Sequence, residues 1–197
     1  QGKNATLEGG DFIPAGERAY IGEGIRTNSA AIKELLDNDV FGGRDKGVKE
    51  VVVVKDRWNN QQEMHLDTHF NVISDKLVVS VADRVNCQED TKKCQFADIY
   101  EWQGEWRLTK SNVDFNAYLI NTVGAKIIPV PVEDQYKYGI NFLTIKDKQI
   151  IGVDGVSEDY KLALKNAGVD AQWIDFTNMK LGFGAAHCTT QVLSRRP

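Results

Sequence analysis

Asn141-Phe142-Leu143-Thr144-Ile145 and Gln149-Ile150-Ile151-Gly152-Val153 are short apolar runs separated by three residues, and each reads as a strand. A helical pattern follows over Glu158–Asn166, then Gly168, then a third run, Gln172-Trp173-Ile174-Asp175-Phe176. The order is strand, strand, helix, strand. Working outward, a strand pair (Asn71-Val-Ile-Ser74 and Lys76-Leu-Val-Val-Ser-Val81) leads to a helix over 115–123, closed by Gly124, and a strand over Lys126–Val130. Further upstream, Ala19-Tyr-Ile-Gly22 precedes a helix over 29–36 and a strand over 48–54. Ser29 is the expected cap of that helix, with Ala31, Ile32, Leu35 and Leu36 as its apolar stripe. The run 187–194 reads as an orphan strand, half of a further unit. The segment between Cys87 and Cys94 and a hairpin holding Trp102 and Trp106 decorate the middle unit. Such units seldom bury their apolar faces alone, so they are expected to pack on one another as a single α/β domain.

At 197 residues the chain suffices for one sizeable core, and its net charge of −4 argues against a nucleic-acid partner. Apolar runs stay short of a membrane span. Cys87 and Cys94 are candidates for a disulfide that closes a short polar loop, which leaves Cys188 unpaired. Asn4-Ala5-Thr6 is a glycosylation sequon. Sequon and cysteine pair together favour a secreted protein slightly over a cytoplasmic one, and a secreted chain would begin after processing of a signal.

Cys188 follows the small-residue loop Gly184-Ala185-Ala186-His187, and a lone thiol of this kind is a candidate nucleophile. Met64-His65-Leu66-Asp67-Thr68 offers a general acid/base and a carboxylate two residues apart, on one face if the segment is a strand. The plainer reading is a histidine at a strand start beside a solvated aspartate. His65, Asp67 and His69 alternate along that same face, and with His187 they would suit a metal ion. Glu8-Gly9-Gly10-Asp11 sets two carboxylates around glycines that permit close approach to a ligand. Arg26, in Ile21-Gly22-Glu23-Gly24-Ile25-Arg26-Thr27, is either a surface residue of a strand–helix turn or a bidentate partner for a substrate carboxylate.

Taken in order, Leu7-Glu8-Gly9-Gly10-Asp11, Ile21-Gly22-x-Gly24-x-Arg26-Thr27, His65-Leu66-Asp67-Thr68-x-Phe70 and His187-Cys188 resemble the arginine deiminases and their relatives, the guanidino-group-modifying enzymes of the pentein fold. Tyr138-Gly139-Ile140-Asn141-Phe142 falls where that family tends to carry an Asn. The resemblance implies that Cys188 attacks a guanidinium carbon and that His65 protonates the leaving group and later activates water. It makes Glu8 the partner that orients His65. Asp67 grips the guanidinium nitrogens, Asp11 and Asn141 support the substrate, and Arg26 holds an α-carboxylate. It implies no metal and no cofactor.

The family fold is an α/β propeller of five ββαβ units, of which about three and a half are legible here. Residues 1–197 therefore resemble the C-terminal part of one catalytic domain. A companion chain or segment is expected to carry the N-terminal units, with the family's second guanidinium-binding aspartate. Hydrolysis of L-arginine to citrulline and ammonia ranks first. Protein citrullination follows, then amidino transfer to an amine, then a non-catalytic binding role such as that of ribosome anti-association factors. Arginine is the expected small-molecule partner, with no nucleic acid and no membrane.

Overall fold

In the computed structural model, which describes residues 4–45, 47–87 and 91–190, three sheets share one plan. β1 (Phe12–Ala15) and β2 (Arg18–Glu23) form an antiparallel hairpin, α1 (Ser29–Asp37) crosses over, and β3 (Glu50–Lys55) lies parallel to β2. β4 (Phe70–Ser74), β5 (Leu77–Val81) and β8 (Lys126–Val130) repeat that pairing. So do β9 (Leu143–Lys146), β10 (Gln149–Val153) and β11 (Asp170–Ile174) around α5 (Glu158–Asn166). In each sheet the second strand is central among the three. A parallel neighbour requires a crossover, which is what each helix supplies.

Several expectations are corrected. β1 escaped the sequence reading because Phe12-Ile-Pro-Ala15 carries a proline, yet β1 is an edge strand, where a missing ladder donor is tolerated. The cap of α1 is Asn28, not Ser29: its side chain accepts a 3.0 Å hydrogen bond from the Ala31 N–H. The helix over 115–123 is one α-turn (α3, Phe115–Ala117) that widens into a π-helix over Tyr118–Val123 and ends at Gly124, whose φ is +69°. The tryptophan hairpin, β6 (Phe96–Trp102) with β7 (Trp106–Asp114), is inserted in the middle unit but pairs with β3, so it extends the first sheet to five strands. Residues 186–189 form a turn rather than the start of a strand, and 191–194 lie outside the described residues. Cys87 and Cys94 form the disulfide, and Asn4 is exposed.

The middle sheet is buried on both faces. Phe70, Val72 and Val78 join Tyr20, Val52, Ile99 and Phe115 on one side. Ile73, Leu77 and Val79 join Ile140, Ile150, Tyr160 and Leu164 on the other. This is the period-two alternation of strands sandwiched between neighbours. The rings of Tyr20, Phe70 and Phe115 meet edge-on, with centroids 5.1–6.0 Å apart, and tie the first two sheets together.

The repeat also sets where side chains can converge. Glu8 and Asp11 stand at the entry to β1, His65 and Asp67 at the entry to β4, and Asn141 at the entry to β9. Equivalent ends of three packed units thus point their loops at one place. Among the described residues, no helix is long and apolar enough to cross a membrane.

Candidate active site

His65 caps a short 3-10 turn, Leu66–Thr68, so the strand expected over 65–69 is not there. His65 and Asp67 nonetheless share a side, because both border Gly10: a methyl group at Gly10 would lie 2.7 Å from His65 Nδ1 and 3.0 Å from Asp67 Oδ1. His69 is turned away, fully buried against Gln95 Nε2 at 2.9 Å, and burial holds its pKa well below the usual value. The alternating set His65, Asp67 and His69 is therefore not assembled. Among the described residues, no group of three or more His, Cys, Asp or Glu side chains is arranged to hold a metal ion.

Glu8 Oε2 lies 2.5 Å from His65 Nε2, and Arg26 Nη1 stands 3.7 Å from Glu8 Oε1. Asp11 is buried, and its Oδ1 accepts a 2.9 Å hydrogen bond from the Leu66 N–H, tying the β1 entry to the turn that carries His65. Gly22 makes room for Asp11, since a side chain there would collide with its carboxylate. Asn141 clamps the cysteine turn. Its Oδ1 accepts from the N–H groups of His187 (3.1 Å) and Cys188 (3.2 Å), and its Nδ2 donates to Asp67 Oδ2 (3.1 Å) and Cys188 Sγ (3.0 Å).

Asp67 is completely buried. Its Oδ2 accepts from Asn141, from His187 Nδ1 at 2.9 Å and from the Cys188 thiol at 3.3 Å. Burial and the neighbouring Asp67 charge push the Cys188 thiol up to about 12. Burial also raises the Asp11 carboxyl to about 6. A cavity of about 470 Å³ opens onto Cys188, Asn141, His65 and Arg26, with Met64 and Tyr138 in its wall. Behind this lining, three buried polar atoms have no partner: Asp11 Oδ2, Asp67 Oδ1 and Arg26 Nε. Buried polar groups are normally satisfied, so unpaired ones at a cavity are poised for a ligand. Two carboxylate oxygens call for a cationic N–H donor, and the guanidinium Nε calls for an acceptor.

The nine sequence candidates in the chemistry thus divide plainly. Cys188, His65, Glu8, Asp67, Asp11, Arg26 and Asn141 come together, while Cys87 and Cys94 sit elsewhere as the disulfide. His187, offered by the sequence both as a metal ligand and as half of the His187-Cys188 motif, pairs with Asp67. Gly10 was visible as part of a flexible motif; its packing against His65 was not.

Two consequences are measurable. If His65 acts as the resemblance implies, Gly10→Ala should displace it and lower kcat/KM by about 100-fold, as ångström-scale misplacement of a catalytic group does. Steady-state kinetics beside a thermal melt separates this from unfolding. Asp11 behaves oppositely to an ion-paired carboxylate. Its folded pKa exceeds the unfolded 3.8, so its contribution to stability is full below that value and is lost as pH rises through about 6. Asp11→Asn keeps the acceptor for Leu66 and cannot ionise. Its stability relative to the parent should therefore rise by roughly 2 kcal/mol between pH 4 and pH 7, measured by urea unfolding.

The pattern of the arginine deiminase family matches residues 1–195. The arginine deiminase of Halobacterium salinarum is 30% identical over 250 aligned positions, covering all of this chain and 50% of that protein. The arginine deiminase of Metamycoplasma hominis is 26% identical, covering 96% of this chain and 48% of that protein. The chain thus spans about half the length of the curated relatives it matches. Among solved structures, an amidinotransferase of the saxitoxin biosynthetic pathway from Microseira wollei superposes with a TM-score of 0.65 at 16% identity, over 100% of this chain and 50% of that one. The dimethylarginine dimethylaminohydrolase of Pseudomonas aeruginosa, solved as a mutant complexed with citrulline, gives 0.56 at 16% identity, over 90% and 52%. These two likenesses concern the fold. With the fold and the family pattern in agreement over nearly its whole length, this chain belongs to the arginine deiminase family and forms part of a pentein-type α/β domain.

Proposed function

We propose that the protein hydrolyses the guanidinium group of L-arginine to citrulline and ammonia. The observation that carries this reading is the pair of unpartnered, buried carboxylate oxygens, Asp67 Oδ1 and Asp11 Oδ2, behind a cavity that holds a free thiol. A guanidinium is a planar cation whose N–H groups fit such acceptors, and holding it there sets its central carbon before the sulfur.

In this reading the guanidinium cation offsets the Asp67 charge, and Cys188 passes its thiol proton to His65 and becomes the thiolate. The sulfur attacks the guanidinium carbon. The C–N bond to a terminal nitrogen breaks, and ammonia leaves with a proton delivered by His65. Glu8, paired with His65 Nε2, stabilises the protonated ring and fixes its orientation. His65 then takes a proton from water, whose oxygen adds to the thiouronium carbon. The C–S bond breaks and citrulline departs. Arg26, with its unpaired Nε, receives the α-carboxylate.

The half-length coverage of its relatives supports a further part of the proposal. The three units form the C-terminal part of a five-unit propeller, and a companion N-terminal segment completes both ring and site. The decisive experiment is citrulline release from free L-arginine, run beside an arginine-containing peptide. Product from the free amino acid alone supports the reading. Product from the peptide alone moves it to protein citrullination. Product from neither, with guanidine consumed only when an amine acceptor is added, moves it to amidino transfer.

A further inference from the structure

We infer that His187 is a positioning residue for Asp67, dividing the two oxygens of that carboxylate between protein and substrate. The inference rests on the guanidinium-binding reading above. Asp67 is fully buried, and its two oxygens have opposite surroundings. Oδ2 accepts from three groups, of which His187 Nδ1 is nearest at 2.9 Å. Oδ1 accepts from none. A carboxylate turns about one torsion, so fixing Oδ2 fixes Oδ1.

The other two donors to Oδ2 are both tied to the reacting sulfur. The Cys188 thiol gives up its proton when it becomes the nucleophile. Asn141 Nδ2 shares its hydrogens between Asp67 Oδ2 at 3.1 Å and Cys188 Sγ at 3.0 Å. Of the three donors to Oδ2, His187 is the one with no hydrogen bond to the reacting sulfur. Its own placement is secured by the backbone, because its N–H donates to Asn141 Oδ1 and to the Asn141 carbonyl, both at 3.1 Å. A neutral imidazole protonated at Nδ1 suffices for the role, so no proton need be transferred. The side chain is 16% exposed, which keeps the bond largely out of water.

Replacing the ring tests this. Asparagine can present an amide N–H where Nδ1 stands, and alanine cannot. Binding of L-arginine is measured by calorimetry in a Cys188→Ala background, which prevents turnover. His187→Ala should weaken binding about 10-fold or more, the range expected when a hydrogen bond to a charged group is lost. His187→Asn should restore it to within about 3-fold, by the same reasoning. In the Cys188-containing protein the alanine defect should fall chiefly on KM, with the melting temperature unchanged. Equal binding by His187→Ala and its parent overturns the inference. So does an asparagine variant as weak as the alanine one, which would mark ring packing rather than the hydrogen bond. A parent that binds no L-arginine with its companion N-terminal segment present overturns the guanidinium reading and this inference with it; that result is distinct from the other two.

Discussion

Cys188→Ala is expected to lower citrulline formation from L-arginine by at least about 10⁴-fold, since removing a covalent nucleophile leaves only binding and electrostatic assistance. Product analysis at high enzyme concentration measures the residue of activity. Stability should barely change, because Cys188 is the free cysteine and its turn is held mainly by Asn141 through the backbone N–H groups of His187 and Cys188. The variant may be compared with Cys188→Ser, which keeps a hydroxyl but not an acidic thiol. A serine variant with more than a tenth of the parent activity would sink the thiouronium route, given how much weaker an unactivated hydroxyl is as a nucleophile. Beside the fully buried Asp67 the thiol stays protonated, pushed to about 12, so general thiol reagents should react slowly near neutral pH.

Arg84→Ala is expected to cost about 3–5 kcal/mol of stability, the price of stranding buried carboxylates. Arg84 lies on α2 (Ala82–Val85) and is 1% exposed. Its Nε donates to Glu63 Oε2 at 2.6 Å, and its Nη1 donates to Asp56 Oδ1 at 3.1 Å. Glu63 ends the 3-10 turn Gln61–Glu63, next to the Met64 and His65 that line the cavity. Urea unfolding of Arg84→Ala, Glu63→Ala and the double variant gives the coupling directly, and the double variant should cost less than the sum. A loss under about 1 kcal/mol for Arg84→Ala would show the pair to be solvated in solution.

The contrast between these two residues shows what the sequence makes legible. Cys188, His65, Asp67 and Asn141 are readable because each is a reactive type in a recognisable order, and the repeat brings their loops together. Arg84 sits in Val81-Ala-Asp-Arg-Val85, a segment with no periodicity of its own, so nothing local reveals an arginine buried among carboxylates. The pairing plan of the three units follows from short apolar runs and crossover helices. The destination of the tryptophan hairpin does not, because its pairing with β3 is a long-range choice made by packing. His187 is a similar case. Its identity invites a metal, and the turn at 66–68, where alternation suggested a strand, sends His69 away to Gln95 and leaves His187 paired with Asp67.

The ring cluster of Tyr20, Phe70 and Phe115 acquires a second meaning once the reacting groups are seen to hang from strands on either side of it. Glu8 and Asp11 travel with the first sheet, His65 and Asp67 with the second, and Phe70 directly follows the loop that bears them. Close-packed interiors transmit displacement rather than absorb it. The aromatic trio thus lies between the sheets that carry Glu8 and His65, and on the proposed mechanism shaving it would alter the spacing of those two groups at a depth where no ligand reaches.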